Sequence, residues 1–240
     1  MVAALAMLAM AAAAAPAVPM DAARLAPGNT CYAIEVKGKV VGSTWQSIHA
    51  GDQKGRLTWD ITIHQVHSGG GFDMRDHFVV DRSTLRPISM ESDRGKDKSE
   101  KGWHRIRLTY TDNGVTGTRE TAAGTEPIHV VFDHPVWEGN LWGVTFASLP
   151  LREGAVFFVP TWQYDKGLGN FTVKVVGREI VHAEKGDIQA WHLEAGDSPE
   201  QLVHYSIALN PRQELGYEAG AFRQRLGGSC SPAGSTDSPR

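Results

Sequence analysis

Apolar and polar residues alternate with a period of two through most of the chain from Thr30 to Leu226, and Gly, Asp and Asn clusters interrupt the alternation at short intervals. Such alternation buries one face of an extended segment and wets the other, so the segments read as antiparallel strands. The pattern predicts strands at Cys31–Val36, Val40–His49, Leu57–His67, Phe72–Asp81, Arg86–Asp93, His104–Thr111, Val115–Thr118 and Ile128–Phe132. A second series follows at Val156–Pro160, Phe171–Ile180, Ile188–Glu194, Leu202–Leu209, Glu214–Glu218 and Phe222–Leu226. The connections are short, which favours a sequential meander over a parallel α/β sheet.

Between the two series, Asp133–Leu149 carries Trp137, Leu141, Trp142, Val144, Phe146 and Leu149, with Glu138 as the charge inside it. A segment apolar on nearly all sides predicts a buried helix, ended by Leu149-Pro150. The expected fold is mainly β: an antiparallel meander forming a barrel or half-barrel around one apolar helix. Residues 30–227 are expected to form a single domain, and the Gly-, Ser- and Pro-rich stretch 228–240 a disordered tail.

Turn chemistry fixes some registers. A Gly69-Gly70 turn sets Ile63 opposite Asp76, Ile61 opposite Phe78 and Trp59 opposite Val80, in agreement with the apolar face of each strand. A three-residue turn at Arg82-Ser83-Thr84 then places Met90 beside Asp76. Near the other end, the connection Gly196–Glu200 pairs Leu193 with Val203 and His192 with His204.

The first residues, Met1 to Ala17, form an alanine-rich uncharged run ending in Ala15-Pro16-Ala17. This resembles the apolar core and cleavage zone of a secretory signal peptide, so residues 1–23 are expected to be a leader and short linker, and the protein to be periplasmic or secreted. Beyond the leader no stretch is apolar for the ~18 residues a spanning helix needs, so a transmembrane protein is not expected after leader removal. Two cysteines, Cys31 and Cys230, bracket the domain, and an oxidising compartment makes a disulfide between them the expected state. With 24 Lys+Arg against 27 Asp+Glu, the chain lacks the basic surplus of a nucleic-acid binder.

Two turn segments carry a family resemblance. Asp81-Arg82-Ser83-Thr84-Leu85-Arg86-Pro87 is similar to a strand-linking D-x-x-T-L-x-P stretch, and Leu149-Pro150-Leu151-Arg152-Glu153-Gly154 to an L-P-L-x-x-G segment after an apolar helix. Both occur in an exported bacterial family that carries only a domain-of-unknown-function name, of the 3108 type. The resemblance covers Cys31 to about Leu226. It implies an envelope protein whose β-rich shape is similar to the open barrels of lipoprotein carriers, with a concave apolar interior. It implies no catalytic residues.

No G-x-S-x-G, H-E-x-x-H, P-loop or Rossmann fingerprint is present, and no cofactor is expected. Asp76 stands out because a carboxylate on an apolar face must find a partner, raise its pKa or meet a wet cavity. His104, on an inward face two strands away, could pair with it. The expected function is capture of a hydrophobic small molecule or lipid by Trp59, Asp76, Phe78, Met90, His104, Trp142 and Trp191. One alternative is a cavity enzyme, a hydrolase or isomerase, using Asp76 and His104. Another is an envelope interaction protein with a solid core. His192 and His204 are metal candidates, with His182 as a third ligand; an exposed histidine pair is the simpler expectation. Oligomeric state is left open by the sequence.

Overall fold

The computed structural model describes residues 18–229, so the leader run Met1–Ala17 and Cys230 with the rest of the tail lie outside the described residues. The first meander comprises β1 (Gly28–Val36), β2 (Lys39–Gln53), β3 (Arg56–His67), β4 (Asp73–Asp81), β5 (Pro87–Arg94), β6 (His104–Thr111), β7 (Gly114–Thr121) and β8 (Gly124–Val131). A connecting segment carries β9 (Trp137–Glu138) and the helix α1 (Trp142–Ala147). The second meander is β10 (Val156–Gln163), β11 (Gly167–Ala183), β12 (Gly186–Gly196), β13 (Val203–Ala208), β14 (Glu214–Ala219) and β15 (Phe222–Leu226).

All of them belong to one sheet. Its order runs from β8 back to β1, across to β15, and back again to β9. β1 and β15 pair antiparallel from Tyr32↔Leu226 to Val36↔Phe222, so the two ends of the domain meet in the middle of the sheet. β9 pairs parallel with β10, which makes the sheet mixed. The sheet is not closed into a barrel: β8 and β9 are its two edges. The chemistry of β8 suits an edge, because it is largely exposed and Pro127 brings no ladder donor. Pro160 is tolerated inside β10 for a related reason, since β9 covers β10 only at Thr161 and Trp162.

The two halves of the sheet meet through the connecting segment. Trp137 Nε1 donates to Thr84 O at 3.0 Å, and the Tyr110 hydroxyl of β6 donates to the Glu138 carboxylate. Phe132 and Tyr110 both pack on Trp162 of β10. The expected helix over Asp133–Leu149 shrinks to six residues. Pro135 disfavours a helix ahead of it, and Trp137–Glu138 finds ladder partners on β10 instead. Gly139 is held against that strand by Gly139 N–H to Trp162 O at 2.9 Å and Gln163 Nε2 to Gly139 O at 2.5 Å. Among the described residues, no helix is long and apolar enough to cross a membrane.

The β3–β4 register is as expected, with Ile63↔Asp76, Ile61↔Phe78 and Trp59↔Val80. The next hairpin differs. Asp81 N–H donates to Arg86 O, so the loop holds four residues, and a bulge at Val79/Val80 adds one more. The Asp81 carboxylate organises this loop by accepting from the backbone N–H groups of Ser83 and Thr84 at 3.0 and 2.9 Å, while Leu85 takes a left-handed φ of 56° with its side chain in the core. Two extra residues restore the face but slide the register, so Ser92 rather than Met90 lies opposite Asp76, and Met90 lies opposite Phe78. A similar slide moves Leu193 to Tyr205 and Ala195 to Val203, leaving His192 and His204 diagonal rather than directly paired. Ala22, within the stretch read as a linker, and Leu25 just after it pack inward: both are buried, and Trp59 Nε1 donates to Ala22 O at 2.9 Å.

The core is filled from both meanders, by Trp59, Ile61, Phe78, Met90 and Ile106 on one side and Phe171, Val173, Leu193 and Ile207 on the other, with Phe146 of α1 between. Phe78 is 0% exposed. Phe78→Ala should therefore cost about 3–5 kcal/mol in urea unfolding, whereas Val131→Ala, on exposed β8, should change stability by less than about 0.5 kcal/mol.

Candidate functional site

The interior is not solid. A cavity of about 450 Å³ lies between β2–β4 on one side and β13–β15 on the other, with α1 contributing Trp142 and Gly143 to its wall. Its apolar surface comes from Ile63, Met74, Trp142, Val203 and Tyr205. Its polar surface comes from Gln46, Gln65, Asp76, Asn140, Glu214 and Gln224. A pocket in which amides and carboxyls match the hydrocarbon in number fits an amphipathic guest better than a bare acyl chain.

Alternation on β4 turns Asp76 inward together with Phe78 and Val80. Asp76 is 6% exposed, and its Oδ1 is buried without a hydrogen-bond partner. Burial raises its pKa to about 6; the Ser92 hydroxyl pulls the other way, and the nearby Asp93 charge adds to the rise. Across the cavity, Glu214 of β14 is equally buried and is raised to about 7 by desolvation, opposed by a hydrogen bond from Gln224 Nε2 at 3.1 Å. Gln224 in turn accepts from Thr44 Oγ1 at 2.7 Å, so a polar chain runs from β2 over β1 to β15 and β14. The Glu214 carboxylate lies so close to α1 that a Cβ on Gly143 would sit 1.7 Å from its Oε2. Any larger residue there would have to push the Glu214 carboxylate aside.

A third acid, Glu138, is 2% exposed and raised to about 7 by burial, although Tyr110 and Asn140 hydrogen-bond it. Asn140 Nδ2 donates to its Oε1 at 2.8 Å and so links this acid to the cavity wall. Among the described residues, none of the three carboxyls has an ion-pair partner. Each therefore holds its proton far above the ordinary carboxylate range.

His104 belongs to a second cavity, of about 470 Å³, with Arg94, Trp103, Arg119 and Tyr164. Burial lowers its pKa, and the Arg94 charge lowers it further, which favours the neutral ring. Asp76 and His104 do not touch. Ser92 stands between them, opposite Asp76 in the register and 3.3 Å from His104 Nε2 through its hydroxyl. The pairing expected from sequence is thus an indirect one across β5.

Of the other residues named from the sequence, Trp142 lines the cavity. Trp59, Phe78 and Met90 are instead packed in the core, 1%, 0% and 0% exposed, because the slid register puts Phe78 against Met90 and leaves no gap. Trp191 is likewise buried, opposite Ile207 and beneath the Arg178 guanidinium at 5.1 Å. His192 and His204 sit on the outer face of the sheet with their rings 4.3 Å apart, and His182 lies on the opposite face, held by Asp187 at 2.7 Å. Sequence reasoning missed Glu214 and Glu138 altogether. Glu138 reads only as the charge inside an otherwise apolar segment, and that isolation was the one available signal.

The model of a family described as a protein of unknown function (DUF3108) matches residues 31–213. The chain belongs to the DUF3108 family. No curated protein and no solved structure matches it. The matched span of this DUF3108 chain takes in β1 through β13, so Asp76, Glu138 and α1 fall within it, whereas Glu214 and Gln224 fall just beyond.

Glu214 offers a clean linkage test. Its folded pKa lies above its ordinary value, so between about pH 4.5 and 7 the folded chain holds a proton that the unfolded chain releases. Stability from this group is lost as pH rises through that window and is constant above it. Glu214→Gln removes the proton. The urea-derived stability of the variant relative to the parent should rise by on the order of 1–3 kcal/mol from pH 5 to pH 8.

Proposed function

We propose that this protein is an exported binding protein whose central cavity takes up an amphipathic small molecule. The molecule would have an apolar body against Trp142, Ile63 and Tyr205 and a protonated amine or similar donor head at Asp76 and Glu214. The observation that carries this reading is the Asp76 carboxyl, buried in the cavity wall with one oxygen unpartnered. An unmet acceptor in low dielectric costs free energy that a ligand donor recovers, and a cationic head would draw the proton off an acid whose pKa is about 6. The apolar walls supply affinity at about 25 cal/mol per Å² of buried ligand surface. The expectation of a purely hydrophobic ligand or lipid is narrowed by the amides and acids on the wall.

Export and the disulfide belong to the same reading. Support comes from the β1–β15 pairing and from Gly227 N–H donating to Cys31 O at 2.9 Å, which bring the chain three residues before Cys230 alongside Cys31. A bond there would staple the centre of the sheet, and the closed loop of about 200 residues corresponds to roughly 4–5 kcal/mol on the chain-entropy model.

Titration of the protein with octylamine, octanol and octanoate, followed by Trp fluorescence, tests the ligand class. Octylamine should bind best and octanoate worst, and Asp76→Asn should weaken octylamine by tenfold or more with folding intact. Equal binding of amine and carboxylate, or indifference to Asp76→Asn and Glu214→Gln, would sink the proposal. For the staple, non-reducing peptide mapping of envelope-exported protein should recover Cys31 and Cys230 in one linked fragment; free thiols at both would refute it.

A further inference from the structure

Three side chains on adjacent strands converge on the outer face of the sheet, on the far side from the cavity: Glu179 of β11, His192 of β12 and His204 of β13. One candidate ligand atom from each lies within 4.8 Å of the others, and all three residues are partly buried. A bulge at Val176 brings Glu179 there. Upstream of it Val175 pairs with Leu193 on the inner face, and downstream Gly177 pairs with His192, so odd-numbered residues that pointed inward now point outward. Without that extra residue Glu179 would face the core. The same change of face sends His182 to the side opposite the histidine pair.

The cluster is already organised. Glu179 Oε1 and Oε2 lie 3.0 and 3.1 Å from His204 Nε2, and the Ser206 hydroxyl donates to Glu179 Oε1 at 2.6 Å. The His192 ring meets the His204 ring at an interplanar angle of 61°. Glu194 and Glu218 stand across from His204 on β12 and β14, with Lys174 opposite Glu194 and Arg223 pairing with Glu218 at 2.9 Å. Three carboxylates against two cations leave the neighbourhood favourable to positive charge.

We propose that Glu179, His192 and His204 bind one divalent transition-metal ion of the zinc class. Two imidazoles and a carboxylate are borderline nitrogen and oxygen donors, suited to zinc, cobalt, nickel or copper rather than to calcium or magnesium. Tetrahedral ligands at about 2.0–2.2 Å from zinc stand roughly 3.3–3.6 Å from one another. Glu179 and His204 need only part by about half an ångström, and His192 closes by side-chain rotation. The ion takes the place of the hydrogen bond between His204 and Glu179, Ser206 keeps the carboxylate oriented from behind, and the fourth position opens to solvent. Bound there, the metal ties β11, β12 and β13 together across the bulge.

Titration of the chelator-treated full chain with Co²⁺, then displacement by Zn²⁺, tests this. The expected result is one ion per chain with the intense visible bands of low-coordinate cobalt. Those bands should vanish in Glu179→Gln, His192→Ala and His204→Ala, with binding about tenfold weaker in Ser206→Ala and unchanged in His182→Ala. Circular dichroism reports whether each variant folds, and His192→Asn replaces the alanine variant if that one does not. No uptake by the folded parent chain, or uptake that survives loss of both His192 and His204, overturns the proposal.

Discussion

Everything in this molecule depends on the pairing of β1 with β15. Each meander alone would be an ordinary run of hairpins with an exposed apolar face. The five residue pairs from Tyr32↔Leu226 to Val36↔Phe222 join them into one continuous sheet, and the two halves then face each other across the connecting segment. Tyr110, Trp162 and Trp137 lock the halves where they meet. The cavity lies between β2–β4 and β13–β15, on either side of the β1–β15 seam, so its shape is set by strands that are far apart in sequence and adjacent in space.

The interior is held open by chemistry as well as by geometry. Asp76 and Glu214 line the void, and Glu138 sits behind Asn140 at its margin. In a low-dielectric space without cationic partners, such groups retain protons, and they disfavour a collapse that would seal them in hydrocarbon. The Gly143–Glu214 contact shows how closely the backbone of α1 is fitted to one of them.

Much of the architecture was legible from alternation, because strands with one wet face repeat with a period that sequence displays directly. The β3–β4 register followed from the same rule, since the Gly-rich turn and the apolar faces agreed. What alternation could not reveal were the bulges. The extra residue Ile88, opposite Val79/Val80, and the one in the Asp81–Arg86 loop slid β5 by two positions, replacing Met90 with Ser92 beside Asp76. The bulge at Val176 decided whether Glu179 or His182 joined the histidine pair. The helix was overestimated because Trp137–Glu138 is apolar in context and pairs with β10, a long-range choice that local periodicity does not contain. Glu214 was invisible for the same reason: its burial comes from α1, some seventy residues earlier in the chain.

The edges of the sheet, β8 and β9, are neighbours along the chain, while the strands that start and finish the domain lie side by side at its centre. The topology is thus that of a ring opened at the middle of its sheet. Breaking it instead within residues 132–136 and bridging β15 to β1 would keep every ladder but turn the longest-range contact into a local hairpin. Loop closure would then cost less entropy and contact order would fall, so such a circular permutant should fold faster than the natural chain to the same end state.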